Sequence, residues 1–149
     1  MNTLNTTEFI VRAVCVRDGH LLLCRNIKAH NVYLPGGHVE SGEDAVTAIR
    51  REVREEMGLH AIPSRFLGAA ENRFLQKGIE VSELNLVFAV DIEGVCVDIP
   101  PRGLEGHIDF LWHPLADVEK SGLRPPALAR RLQGWLDGTD SDRFISMPV

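Results

Sequence analysis

The stretch that most constrains this chain runs from Gly37 to Leu59, GHVESGEDAVTAIRREVREEMGL. Its second half carries a helical hydrophobic period, which predicts a helix from near Gly42 to Met57. Ser41 is placed to cap it, with Asp44 three residues on as a short capping box, and Gly58 stands where a left-handed helix stop is wanted. With about 100° per residue and Arg51 set at zero, Glu55 falls at about 40°, Glu52 at about 100° and Glu56 at about 140°. Three carboxylates therefore share one face. Ile49, Val46, Val53 and Met57 form the core stripe, and Arg50 and Arg54 point toward solvent. Ala45 and Ala48 lie on the carboxylate side one to two turns earlier, where their small size leaves room for close approach to the helix.

Like charges at i,i+3 and i,i+4 cost a few tenths of a kcal/mol each and raise the carboxylate pKa values. Arg51 offsets part of this through Glu55 at i,i+4. The remaining negative charge suits Mg²⁺, which takes a few carboxylates together with phosphate oxygens and waters. A solvated charged helix face is the competing explanation, and the three glutamates alone do not displace it.

Around this helix the chain alternates strands and turns. Phe9 to Val16 is apolar and β-branched, the pattern of a strand buried on both faces. Asp18-Gly19 signals a hairpin turn into His20 to Cys24. Val32-Tyr33-Leu34 leads into Pro35-Gly36-Gly37. After the helix, Phe66 to Ala70, Leu84 to Val97 and Ile108 to Trp112 are expected as strands, the second of them bulged or interrupted. Pro114 to Glu119 suggests a helical turn, and Ala127 to Leu136 a terminal helix with Leu128, Leu132, Trp135 and Leu136 on one side. This order indicates an α/β fold, a sandwich built on a mixed β-sheet.

Gly37, five residues, Glu43, seven residues, then Arg51-Glu52-Val53-Arg54-Glu55-Glu56-Met57-Gly58-Leu59 resembles the Nudix box at every specified position. At about 5–7% usage per residue type, its seven fixed letters coincide by chance less than roughly once in 10⁸ windows. The preceding Leu34-Pro35-Gly36-Gly37 is similar to the usual lead-in, and the element order resembles a Nudix-type α/β/α sandwich. The resemblance, closest to MutT-like members, implies a pyrophosphohydrolase using Mg²⁺ or Mn²⁺ on a nucleoside diphosphate derivative. It implies Glu52, Glu55 and Glu56 as metal ligands, one of them alternatively the base, with the Gly37 carbonyl as a further ligand. Arg51 would brace the carboxylates and Glu43 would support the loop–helix junction. Members often add a carboxylate from outside the box, for which Glu83 and Glu105 are the candidates, each equally explicable as surface. Arg12, a lone charge in the first strand, is a candidate phosphate contact, and Arg25 is a weaker one. Tyr33 is placed to stack on a base or simply to pack. His38, His107 and His113 have no metal-ligand spacing and are expected on the surface or in loops.

At 149 residues the chain fits one domain, residues 1–149, with 1–7 and 138–149 expected to be loose. The net charge of −5 comes without any Lys/Arg run, which argues against a nucleic-acid partner and against RNA decapping. No apolar run reaches the roughly 18 residues of a membrane span, and the polar start lacks a signal-peptide pattern. Cys15, Cys24 and Cys96 are odd in number and set in apolar runs, so buried reduced thiols and a cytoplasmic location are expected.

For the substrate, absences inform. The only tyrosine, Tyr33, precedes the box, so the downstream tyrosine of diadenosine-polyphosphate hydrolases is missing. No proline falls between Pro63 and Pro100, so the mark of ADP-ribose hydrolases is missing too. Signatures of NADH and coenzyme A pyrophosphatases are likewise not seen. A nucleoside di- or triphosphate leads by elimination, followed by another small phosphorylated molecule. The alternative is a non-catalytic Nudix-fold module that binds a nucleotide or regulates. Many members are homodimers, and the sequence leaves that open here.

Overall fold

In the computed structural model, residues 6–146 are described. The elements in chain order are β1 (Thr7–Val14), β2 (Val16–Arg17), β3 (His20–Asn26), β4 (Val32–Tyr33), β5 (Gly36–His38), α1 (Ala45–Met57), β6 (Ala61–Gln76), β7 (Ile79–Ile92), β8 (Ile108–Pro114), a 3₁₀ segment (Leu115–Ser121), α2 (Pro126–Asp137) and β9 (Phe144–Ile145). One mixed sheet has the order β5-β1-β7-β6-β9, with β1 and β7 parallel and β6 and β7 antiparallel. The second sheet is β2-β3-β4, with β8 added alongside β3.

Side chains alternate across both sheets, and two apolar clusters result. Val11, Ala13, Leu22 and Cys24 pack with Ile49 and Val53 of α1, while Val14, Leu21, Leu23 and Val87 pack with Leu128, Leu132 and Trp135 of α2. Strands buried on both faces need no hydrophobic alternation, which is why β1 and β3 read as continuous apolar runs. The product is helix, sheet layer, helix: the expected α/β/α sandwich.

Local chemistry explains the turns. Asp18 and Gly19 adopt φ of 49° and 73°, the left-handed pair of a tight hairpin, and Lys77 and Gly78 repeat it at 51° and 77°. The second turn joins a hairpin far longer than Phe66 to Ala70 suggested, because residues 71–76, none of them buried, continue the ladder after the core ends. β7 stops at Ile92 rather than Val97, and the bulges lie in β6, between Pro63 and Arg65 and between Phe66 and Gly68. At Gly68 an added methyl would meet the Trp135 ring at 2.6 Å, so that position admits only the smallest residue.

Three expectations for the helix and its surroundings need correction. Asp44, not Ser41, caps α1: its Oδ1 accepts from the Thr47 N–H at 2.8 Å, and the helix starts at Ala45. A shorter side chain three residues further out cannot reach those first amides. Val46 is 37% exposed while Ala48 is fully buried, so the core stripe is rotated toward the carboxylate side. The space left by Ala48 is filled by protein rather than by a ligand. Cys15 and Cys24 are buried free thiols, whereas Cys96, in the loop after β7, is exposed.

The tail also differs from expectation. Residues 1–5 and 147–149 lie outside the described residues, but Thr7 already opens β1, and residues 138–146 are held in place. The Trp135 indole N–H donates to the Asp142 carbonyl at 2.8 Å, Arg131 pairs with Asp140 at 2.6 Å, and β9 lies parallel to β6. Two of these contacts fold the tail back on α2 and the third reaches the far-off strand β6, and a polar composition does not disclose them. Among the described residues, no helix is long and apolar enough to cross a membrane.

Candidate active site

The backbone builds the site before any side chain enters. β5 pairs antiparallel with β1, placing Gly36 opposite Arg12 and Gly37 opposite Val11. Gly36 holds a φ of 145°, a left-handed-side value where a side chain is strained, and a Cβ there would strike the Val11 carbonyl. A Cβ on Gly37 would lie 2.5 Å from the Glu52 carboxylate. The two glycines thus let α1 bring its carboxylates directly against the β5 backbone.

Arg51 organises the rim. Its Nε and Nη2 donate to the two Glu43 oxygens at 2.8 and 2.9 Å, a bidentate pair. Its Nη1 donates to Glu52 at 3.0 Å and Glu55 at 3.2 Å, and Nη2 also donates to the His38 carbonyl at 2.8 Å. Glu43 accepts from the Glu40 N–H at 3.2 Å, locking the loop that precedes the helix. One guanidinium therefore bridges three carboxylates, offsetting part of their charge, and ties β5 to α1. The Arg51 side chain holds the Glu43 carboxyl below its ordinary range.

Glu56 is different. It is only 5% exposed, and its Oε2 has no hydrogen-bond partner. Burial, reinforced by the Glu52 charge, pushes its carboxyl up to about 8, against opposition from Arg12 and the Gly36 backbone N–H. Glu52 is also raised by burial, with Arg51 pulling the other way. Cys24 lies beneath, its thiol pushed up to about 12 by burial and by the Glu56 charge. Tyr33 shares a hydrogen bond with Cys24, and burial raises its phenol as well.

A cavity of ≈ 260 Å³ opens over these groups, walled by Glu52, Glu56, Glu83, Glu105, Arg12 and Tyr33. It adjoins a groove of ≈ 430 Å³ that shares Arg12, Tyr33 and Glu83 and adds Asn72, Phe74, Arg73 and Arg124. Both outside carboxylates proposed from sequence thus reach the cleft, Glu83 from β7 and Glu105 from the loop before β8. Arg12 sits with its guanidinium carbon 5.4 Å from the Tyr33 ring centroid and bonded to Asn85 and the Leu34 carbonyl. Glu55, half exposed, stays on the rim with Arg51. Arg25 is not brought to the cleft: it forms a two-bond pair with Asp109 across β3 and β8, at 3.1 and 2.7 Å. The register of those strands satisfies it locally. His38 pairs with Glu8 at 2.9 Å, His107 lies 3.6 Å from Glu105, and His113 bonds the Pro114 carbonyl.

Sequence reasoning passed over Asn72, Asn85, Arg73, Phe74 and Arg124. Asn85 carried a usable signal, being a lone polar residue between Leu84 and Leu86, just as Arg12 is a lone charge in β1. The others sit in a hairpin and a loop whose approach to the cleft depends on strand pairing.

The donors fit a hard divalent cation. Glu56 presents an unpartnered buried oxygen, Glu52 lies against Gly37, and every donor is oxygen. Among the described residues no three Asp, Glu, His or Cys side chains close into a ready-made cage.

The comparisons with known proteins agree with this geometry. A family model described as the NUDIX domain matches residues 7–133. The phosphatase NudJ of Shigella boydii is 30% identical over 106 residues, covering 70% of this chain and 65% of that protein. The human 8-oxo-dGDP phosphatase NUDT18 is 51% identical over 39 residues, 26% of this chain and 12% of that protein. The matches therefore span less than two thirds of these relatives' lengths. Among solved structures, a NUDIX hydrolase from Nitrosomonas europaea superposes with a TM-score of 0.71 at 24% identity, covering 89% of this chain and 90% of that one. The E. coli ORF135 protein gives 0.69 at 21% identity, covering 93% and 96%. A family match that opens at the first residue of β1 and runs well into α2 establishes that this chain belongs to the Nudix hydrolase family.

Proposed function

We propose that this protein is a Mg²⁺- or Mn²⁺-dependent pyrophosphohydrolase acting on a small nucleotide, foremost a nucleoside di- or triphosphate. The observation that carries this reading is the buried, unpartnered oxygen of Glu56 beside Glu52, facing a cleft that also presents Arg12. A carboxylate held in that state is poised for a cation, and an arginine on the same cleft is poised for the phosphate that follows it.

Glu52 and Glu56, with Glu55 at the rim and the Gly37 carbonyl below, are the groups that would hold the ion. When bound, it supplies positive charge against the phosphate oxygens and acidifies a neighbouring water. Arg12 binds a phosphate oxygen and orients the chain for in-line attack. One carboxylate of the set, with Glu83 and Glu105 as the candidates outside the helix, takes the proton from the attacking water as the bridging P–O bond breaks. Tyr33 and the groove beyond it receive the nucleoside. The free thiols of Cys15 and Cys24 support a reducing, cytoplasmic setting.

The test is phosphate or pyrophosphate release from a panel with Mg²⁺ and Mn²⁺. The panel includes ordinary and 8-oxo nucleoside di- and triphosphates, a UDP-sugar and ADP-ribose, the oxidised nucleotide because the human relative is an 8-oxo-dGDP phosphatase. Turnover should fall by at least about a hundredfold in Glu56→Gln and Glu55→Gln. Activity that survives both substitutions would sink the assignment. Saturable nucleotide binding without turnover would identify a binding module instead.

A further inference from the structure

Asn85 sits in the middle of β7 and is only 3% exposed, between Leu84 and Leu86 in a strand that is otherwise apolar there. A core at this point would accept Leu or Val, so the amide calls for an explanation. Its Oδ1 accepts from Arg12 Nε at 3.2 Å. Its Nδ2 donates to the Ala70 carbonyl at 3.3 Å and to Glu83 Oε2 at 3.4 Å. The same Glu83 oxygen accepts from Asn72 Nδ2 at 3.3 Å. Strand pairing sets up this chain of contacts, since Ile10 and Ala70 flank Asn85 and Asn72 lies opposite Glu83.

The amide has one workable orientation. Turned over, its N–H₂ would face the Arg12 N–H and its oxygen would face the Ala70 carbonyl and the Glu83 carboxylate, three repulsions in place of three bonds. Asn85 thus stands as a neutral spacer between a guanidinium and a carboxylate on adjacent strands. Both acceptors bound by Arg12, Asn85 Oδ1 and the Leu34 carbonyl, are uncharged, so these hydrogen bonds do not tie the guanidinium up in an ion pair. A direct Arg12–Glu83 ion pair would consume both groups.

We infer that Asn85 is a positioning residue that keeps Arg12 and Glu83 apart and correctly aimed, so that the phosphate-binding cation and the outlying carboxylate work across one cleft as a fixed unit. The inference rests on the hydrolase reading above. Reacting groups misplaced by about 1 Å lose on the order of a hundredfold in rate. Asn85→Leu should therefore lower kcat/KM by about ten- to a hundredfold, while thermal unfolding shows the fold retained.

The experiment is a set of mutant cycles on whichever panel nucleotide the wild type turns over. Asn85→Leu is measured alone and in an Arg12→Met/Glu83→Gln background, where it should add less than about twofold. Asn72→Leu, at the edge of the network, removes one of the two donors to Glu83 and serves as the second variant should Asn85→Leu fail to fold. Its loss should be several-fold in wild type and vanish beside Glu83→Gln. A loss that persists undiminished in those backgrounds marks a merely structural role and overturns the inference alone, as does the absence of any loss in the single variants. A wild type inert toward the whole panel overturns the hydrolase reading and this inference together.

Discussion

Replacing Glu56 by glutamine should make the metal-free protein more stable at alkaline pH while removing its activity. Glu56 is buried, and its carboxyl lies at about 8 in the folded chain against an ordinary value of 4.5. A carboxyl raised in this way holds its proton more tightly folded than unfolded. Its contribution favours the fold below pH 4.5 and is progressively lost as pH rises toward 8. At about 1.36 kcal/mol per pKa unit, full ionisation in place costs at most about 5 kcal/mol. Entry of water around the ion brings the expected figure to about 2–4 kcal/mol. For a domain of this size that is a Tm difference of roughly 5–15 °C. Thermal unfolding followed by circular dichroism, in EDTA at steps from pH 5 to pH 9, measures it directly. The glutamine variant should gain on wild type at each step from pH 5 to about pH 8 and hold a constant lead above that. Mg²⁺ should then raise the wild-type Tm at high pH and leave the variant unmoved. A Tm difference that stays flat across the pH range would refute the reasoning, because it would mean that Glu56 does not carry an ionisation penalty.

Three other substitutions probe separate parts of the structure. Gly37→Ala places a methyl group 2.5 Å from the Glu52 carboxylate, so kcat should fall by at least about tenfold with the far-UV spectrum unchanged; steady-state kinetics decide it. Asp44→Ala removes the α1 cap and should cost about 1 kcal/mol in urea unfolding while KM holds within about twofold. Arg25→Ala breaks a partly exposed pair with Asp109 away from the cleft and should leave KM unchanged within about twofold; a large rise in KM would return Arg25 to the substrate path.

Much of the site is local in sequence and was legible for that reason. Gly37, Glu43, Arg51, Glu52, Glu55 and Glu56 lie within one loop and one helix, so helical periodicity alone set the carboxylates on one face. The turn residues Asp18-Gly19 and the stop at Gly58 follow from the same local logic of left-handed backbone. Periodicity failed where a choice between faces depended on what packs against the helix: Val46 and Ala48 exchanged roles because the sheet approaches α1 from the carboxylate side.

Tertiary structure decided the rest. Local patterning ranks Arg12, a lone charge inside its strand, above Arg25, at the close of one, but does not give either its partner. Strand register sends the first to the cleft and gives the second Asp109 as a partner. Sequence left Glu83 and Glu105 equally explicable as the extra carboxylate or as surface; pairing of β7 with β1 and the path of the loop before β8 bring both to the cavity wall. The Arg12–Asn85 and Asn72–Glu83 contacts and the pairing of β9 with β6 join residues more than ten positions apart, through contacts that exist only once the strands are paired. The sequence by itself determined which helix carries the carboxylates and how they are spaced. Only the folded chain decided that Glu56 is the one buried with an unpartnered oxygen, because burial is a property of the surrounding elements and not of the helix that bears it.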